Sequence, residues 1–163
     1  MKLYTWGEIV CRLLEGDPAF KINAMYLEYE NQADPDVPVT APSFDRDEGI
    51  EYYASLAGDP LRDFLRVPLL ANPARGVTAG LEAAVAFNQL TFAAQSEGSI
   101  GVHGKEFSDA VNSKVFGVAL VAAPVWGDRT RDLIFGRSYY ASTKQIPKRA
   151  SSQVVASWVE KFI

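Results

Sequence analysis

Histidine and cysteine carry much of the nucleophilic, proton-transfer and metal chemistry of proteins, and this chain has one of each, His103 and Cys11. Zinc sites built on two or three histidines are therefore excluded, and a mixed site would have too few strong ligands. A Cys11–His103 nucleophile pair is conceivable, but Cys11 falls on the apolar side of a predicted short helix, where a thiol is a small, inert, buried hydrophobe. Ser108 and Asp109 lie near His103 in sequence, yet the chain contains no G-x-S-x-G elbow. His103 is expected to be a loop residue bonded to backbone. The run Ser99–Glu106, SIGVHGKE, has the Gly-Lys pair of a phosphate loop but fails at two positions. Ser99 stands where the wrapping glycine belongs, and Glu106 where a hydroxyl would meet magnesium. It reads instead as a glycine-permitted loop between strands.

Asp34 and Asp36, or Asp45, Asp47 and Glu48, supply oxygen ligands but lack the twelve-residue spacing of a calcium loop. Asp45 and Glu48 fit a helix start, and Asp34 and Asp36 fit turns. A glycosidase-type acid pair has no fixed sequence spacing, so a hydrolase using acids near His103 stays open as an alternative. Lys144, Lys148 and Arg149, with Arg129, Arg131 and Arg137 before them and Tyr139 and Tyr140 between, have the basic-aromatic mixture of a nucleic-acid groove. The balance of 16 basic against 20 acidic residues gives a net charge of −4, so no global positive field backs that reading. The expectations are no catalytic residue, no cofactor, no metal, and neither nucleic acid nor membrane as a partner.

The elements that must carry these residues follow from periodicity. Thr5 and Glu8 have capping-box spacing, and Trp6, Ile9, Val10, Leu13 and Leu14 recur at helical steps, which predicts a helix over about 5–15 that Gly16-Asp17-Pro18 stops. Lys21–Glu30 alternates as a strand, and the proline-containing run 31–43 is a loop. A second helix is predicted over about 46–57, capped by Asp45 and closed by Gly58. Phe64–Leu70 reads as a strand in which Pro68 demands an edge or an end. Leu81–Gln95 reads as strand, followed by a glycine-rich loop from Gly98 to Gly104. Ser113–Trp126 is apolar on both faces, as in a strand covered from two sides, and Asp132–Ser142 and Gln153–Ile163 are further strands around a Pro147 loop. The predicted fold is mainly β, an antiparallel sandwich or barrel with two short helices, in a single domain 1–163 with an N-terminal helical arm. The start MKLYTWGEIVCRLLEGD lacks the apolar core of a signal peptide, and no run approaches the roughly 20 apolar residues of a membrane span.

Three stretches, KINAMYLEYEN (21–31), EGIEYYASLAGDPLRDFLRVPLLANP (48–73) and HGKEFSDAVNSKVFGVALVAAPVWGDRTRDLIFGRSYY (103–140), together with the ending QIPKRASSQVVASWVEKFI, resemble small virion structural proteins of tailed bacteriophages. The resemblance implies a non-enzymatic component present in many copies: a head-tail connector, collar, tail or fibre-docking protein, or a capsid decoration protein. Its partners would be copies of itself and other phage structural proteins, and its location the virion, after synthesis in the host cytoplasm. Residues expected at such contacts are Trp6, Ile9, Leu13, Tyr139, Tyr140, Lys148 and Arg149. Aromatic residues make up 12% of the chain, enough for interface anchors or for filling one core. A β-sandwich module that binds carbohydrate on exposed tyrosines or tryptophans is the competing reading.

Overall fold

The Thr5 hydroxyl accepts the Glu8 N–H at 3.1 Å and opens helix α1 (Trp6–Leu14) as the capping spacing predicts. Gly16 follows the helix at φ +83°, a left-handed conformation that a side chain would disfavour. The computed structural model describes residues 4–43, 49–70, 84–86, 89–107 and 112–161, with only the backbone of Trp6, of residues 84–86 and of Gln89 and Leu90. After α1 come β1 (Ala24–Gln32), α2 (Ile50–Ser55), β2 (Arg62–Pro68), β3 (Ala84–Ala86), β4 (Gln89–Gln95), β5 (Asn112–Ala122), β6 (Leu133–Tyr139), β7 (Ile146–Lys148) and β8 (Val155–Lys161).

All the strand pairs are antiparallel. A five-stranded sheet has the order β2-β1-β5-β6, with β7 also paired to β5, and a three-stranded sheet has the order β3-β4-β8. The mainly β, sandwich-like architecture expected from the sequence is therefore present. Pro68 ends β2, which lies at a sheet edge, where its missing N–H breaks no ladder.

β1 is the central strand and is covered on both faces. Met25, Leu27 and Tyr29 pack with Phe92, Ala94, Val154 and Ala156 of the smaller-sheet layer and with Ile9 of α1. Ala24 and Tyr26 point the other way and pack with Tyr53 and Leu56 of the α2 segment and with Phe64, Ala119, Val121 and Ile134. Three layers result: the small sheet, the large sheet, and α2 with its loops. No helix among the described residues is long and apolar enough to cross a membrane.

Several expectations need correction. Pro147 lies in the short strand β7 rather than a loop, because Ser113–Val115 of β5 still has a free edge there that β6 does not reach. β5 stops at Ala122 instead of running to Trp126, and Pro124, with no N–H to donate, lies just beyond. The second helix is α-helical only over Ile50–Ser55 and tightens into a 3-10 turn to Gly58, while its predicted caps Asp45 and Glu48 lie outside the described residues. Cys11 is exposed, not buried. Among the helix's described side chains only Ile9 is buried, and a residue two places on points roughly to the opposite side.

A bulge at Phe116 sets the register beneath α2: Glu28 pairs with Gly117 and Tyr29 with Val115, so Phe116 is the extra residue. The Tyr139 ring lies across Gly117 and stacks on Phe116, with centroids 5.8 Å apart. A Cβ at Gly117 would collide with that ring. Gly117→Ala is expected to destabilise the fold by about 1–3 kcal/mol, the usual cost of overpacking. Gly58→Ala, which has open space around it, is the matched control. Urea denaturation of both checks this, and equal midpoints would contradict the packing described.

Candidate functional site

The α2-facing side of the large sheet is built from polar and aromatic side chains where a sandwich ordinarily places aliphatic ones. β1 contributes Tyr26 and Glu28, and β2 places Arg66 opposite Tyr26 and Phe64 opposite Glu28. β6 places Arg137 opposite Ala119 and Tyr139 opposite Gly117. Tyr26, Tyr53 and Phe64 form an aromatic triangle with centroids 4.4–5.1 Å apart.

Glu28 has no exposed surface. It accepts a hydrogen bond from the Tyr53 hydroxyl, with Tyr139 as a second hydroxyl partner and the charges of Arg137 and Arg62 nearby. Burial nevertheless dominates and pushes its carboxyl up to about 7. Burial beside this acid also raises the Tyr53 and Tyr139 hydroxyls, which stay protonated as donors.

A second buried acid, Asp132, takes a bidentate fork from Arg66, Nε to Oδ2 at 2.7 Å and Nη2 to Oδ1 at 2.9 Å, and the Tyr26 hydroxyl at 2.5 Å. The third, Asp63, holds the loop after β4. Its carboxylate accepts the backbone N–H of His103 at 3.0 Å and of Lys105 at 3.1 Å. That loop in turn clamps α2. His103 Nε2 lies 2.8 Å from the Tyr53 carbonyl, and Lys105 Nζ donates to the Leu56 carbonyl at 2.9 Å. A carbonyl only accepts, so Nε2 carries a proton and donates it there. The expectation that His103 bonds to backbone is met.

Between α2 and the turn after β5 lies a cleft of about 320 Å³. Its walls are Ile50, Tyr53 and Ala54 on one side, Tyr26, Phe64 and His103 below, and Gly127, Asp128, Arg129 and Thr130 on the other side. Of the titratable groups gathered here, Glu28, Asp63 and Asp132 are each engaged in holding elements together. Of the acids near His103, Asp63 already holds backbone amides, and Asp128 lines the same cleft. Among the described residues, no group of three or more His, Cys, Asp or Glu side chains is placed to hold a metal ion.

The residues expected at contacts are not gathered into one patch. Trp6 begins α1. Ile9 is buried in the chain's own core, whereas Leu13 is 44% exposed. Tyr139 lies beneath α2 beside Glu28, and Tyr140 packs half-buried against the opposite core. Lys148 is 1% exposed, 4.6 Å above the Phe107 ring, with its ammonium on the carbonyls of Arg149 and Ser152. Arg149 is exposed. Ile9 and Lys148 therefore serve this chain's interior and offer no surface to a neighbour. With Arg137 also buried, the run of basic residues does not form a continuous groove.

Sequence reasoning missed Glu28, Asp63, Arg66 and Asp132. The one available signal was phase: Glu28 continues the apolar series Ile22, Ala24 and Tyr26, so it had to point into the core. Comparison with known proteins adds no family: no family model matches the sequence, and neither curated proteins nor solved structures gave a significant match.

The buried acid has a measurable consequence. The folded chain keeps a proton on Glu28 that the unfolded chain releases near pH 4.5, so stability falls as pH rises from about 4.5 to 7 and is level above. A shift of this size corresponds to about 3 kcal/mol. Glu28→Gln is expected to remove that decline and to be the more stable form at pH 8 but not at pH 4. Denaturant titrations across this range check it, and parallel curves for the two proteins would contradict the assignment.

Proposed function

We propose that this chain is a non-enzymatic structural component of a tailed-bacteriophage virion, a head-tail, tail or fibre-docking adaptor that works by binding copies of itself and neighbouring structural proteins. The observation that carries this reading is the outer face of α1. Of its apolar residues with described side chains, Ile9 alone is buried, while Val10 is 45%, Leu13 44% and Leu14 83% exposed, and Cys11 is exposed beside them. Fully burying an exposed leucine or valine is worth about 1.5–3 kcal/mol, so a partner surface would recover most of that at Leu14 and roughly half at Val10 and Leu13.

The rest of the arm supports a fixed presentation of that face. Tyr4 and Phe20 flank Phe135 with centroids 5.3 and 5.6 Å away, which ties both ends of the helix to the large sheet. The chain is acidic over its first 60 residues and more basic after residue 128, a polarity that suits head-to-tail contact between copies. The engagement of Glu28, Asp63 and Asp132 in the fold also favours a contact role over a catalytic one.

The reading predicts that the protein is found by mass spectrometry in purified particles of the phage that encodes it. It further predicts that the double variant Leu13→Glu, Leu14→Glu keeps its unfolding midpoint within about 0.5 kcal/mol, as exposed sites do, but is no longer incorporated. Absence from the particles, or normal incorporation of the double variant, would contradict it.

A further inference from the structure

An edge strand exposes a row of unpaired backbone donors and acceptors, and folds ordinarily guard it with proline, charge, a bulge or a covering loop. Two edges of the large sheet are guarded in this way. β2 carries Arg62 and Arg66 and ends at Pro68, and its Phe64 carbonyl accepts the Val102 N–H of the neighbouring loop at 2.9 Å. β7 has Pro147 at its centre. β8, at the edge of the small sheet, differs. It contains no proline, its register with β4 runs from Val155 opposite Gln95 to Lys161 opposite Gln89 without a bulge, and β4 is its one strand neighbour among the described residues.

The side chains of β8 follow the pleat. Val155 and Val159 point outward, 59% and 47% exposed, with exposed Ser157 between them. On the other face Ala156 is buried and Trp158 packs partly buried against the core. On the outer face β4 sets Gln95, Ala93 and Thr91 opposite Val155, Ser157 and Val159, so no charge lies there before Lys161. A regular, uncharged edge of this kind fits one more extended strand. We infer that β8 of a second copy of this chain is that strand, paired antiparallel about a two-fold axis at Ser157, so that two small sheets join into one of six strands.

The sequence of β8 selects a second copy because it complements itself. A two-fold contact sets the same patch against its own image, and the outward residues Val155, Ser157 and Val159 read alike from either end. With Ser157 opposite its own image, Val155 stands opposite Val159 of the second copy, and the symmetry makes this pair twice. On the core side small Ala156 stands opposite large Trp158, again twice. Such cross-strand pairs are the unit of sheet stabilisation. The charges agree as well: Glu160 comes opposite Val154 and Lys161 opposite Gln153, so no like charges face each other. Glu160 already accepts the Trp158 indole N–H at 3.3 Å within its own chain. Moving the axis by one residue, to Trp158, would set the valines against Ser157 and Lys161 instead. This contact uses neither the α1 face nor the cleft, and it does not rest on the virion reading.

The test is sedimentation equilibrium from micromolar to millimolar concentration on the intact chain carrying Leu13→Glu, Leu14→Glu, with and without Ser157→Lys. The first two changes remove the α1 contact, so the dimer that remains reports on β8. Ser157 is exposed, so Ser157→Lys should keep the circular dichroism spectrum of the folded monomer while setting two ammonium groups face to face. A dimer is expected without Ser157→Lys, and dimerisation at least tenfold weaker with it. Register is read with a short bifunctional thiol cross-linker in a Cys11→Ser background, because Cys11 is exposed. Ser157→Cys chains should join to each other, and Val155→Cys chains to Val159→Cys chains. Val159→Cys chains alone should not, since their thiols would lie roughly 14 Å apart along the strands. A chain that stays monomeric at every concentration would overturn the inference and leave the edge to a strand of another protein. So would a dimer that Ser157→Lys leaves unchanged, or cross-linking of Val159→Cys chains alone. Because the α1 contact is absent throughout, this contact and the assembly reading can fail separately.

Discussion

A carboxyl group sealed from water in the middle of a central strand is the constraint on which this fold turns. Glu28 stands on β1 where an apolar residue would pack at no electrostatic cost, and it is tolerated only because Tyr53, Tyr139 and Arg137 converge on it from α2 and β6. That convergence dictates other choices. Tyr139 can reach across only because residue 117 is glycine, and α2 is fastened to the sheet by Tyr53 rather than by apolar contact alone. A buried, bonded acid specifies one position for the helix, whereas an aliphatic layer would let it slide.

The other two buried acids extend the same logic outward. Asp63 gathers the amides of the loop that clamps the end of α2, and Asp132 pins Arg66, which carries Trp126. Polar groups that would serve as acids, bases or ligands in an enzyme are here ties between layers. Among the described residues, the apolar surface left available includes the flank of α1 and the half-exposed indole of Trp126. The exposed flank of α1 is the physical feature on which the proposed virion role rests.

The frame of this fold was legible because its strongest signals are local. Thr5 and Glu8 announce α1, Gly58 ends the α2 segment, Pro68 marks an edge, and the doubly apolar run from Ser113 identifies the strand buried on both faces. The site was less legible because it depends on register. Nothing local to Arg66 or Asp132 says that β2 and the residue before β6 bring them together across 66 positions of chain, and nothing local to Glu28 says that α2 brings Tyr53 onto it across 25. Lys148 and Arg137 looked like surface cations by type and are interior by pairing. Cys11 misled for a simpler reason: a helix with apolar residues around most of its girth does not reveal which stripe faces its own core.

The central claim is that the exposed stripe of α1 is a contact surface in the assembled particle. Electron cryomicroscopy of the purified virion, at a resolution that shows side chains, tests it most directly. The account predicts Val10, Leu13 and Leu14 buried against another subunit, with α1 still seated on its own large sheet. A particle in which that stripe faces solvent, or which contains no copy of the chain, would contradict it.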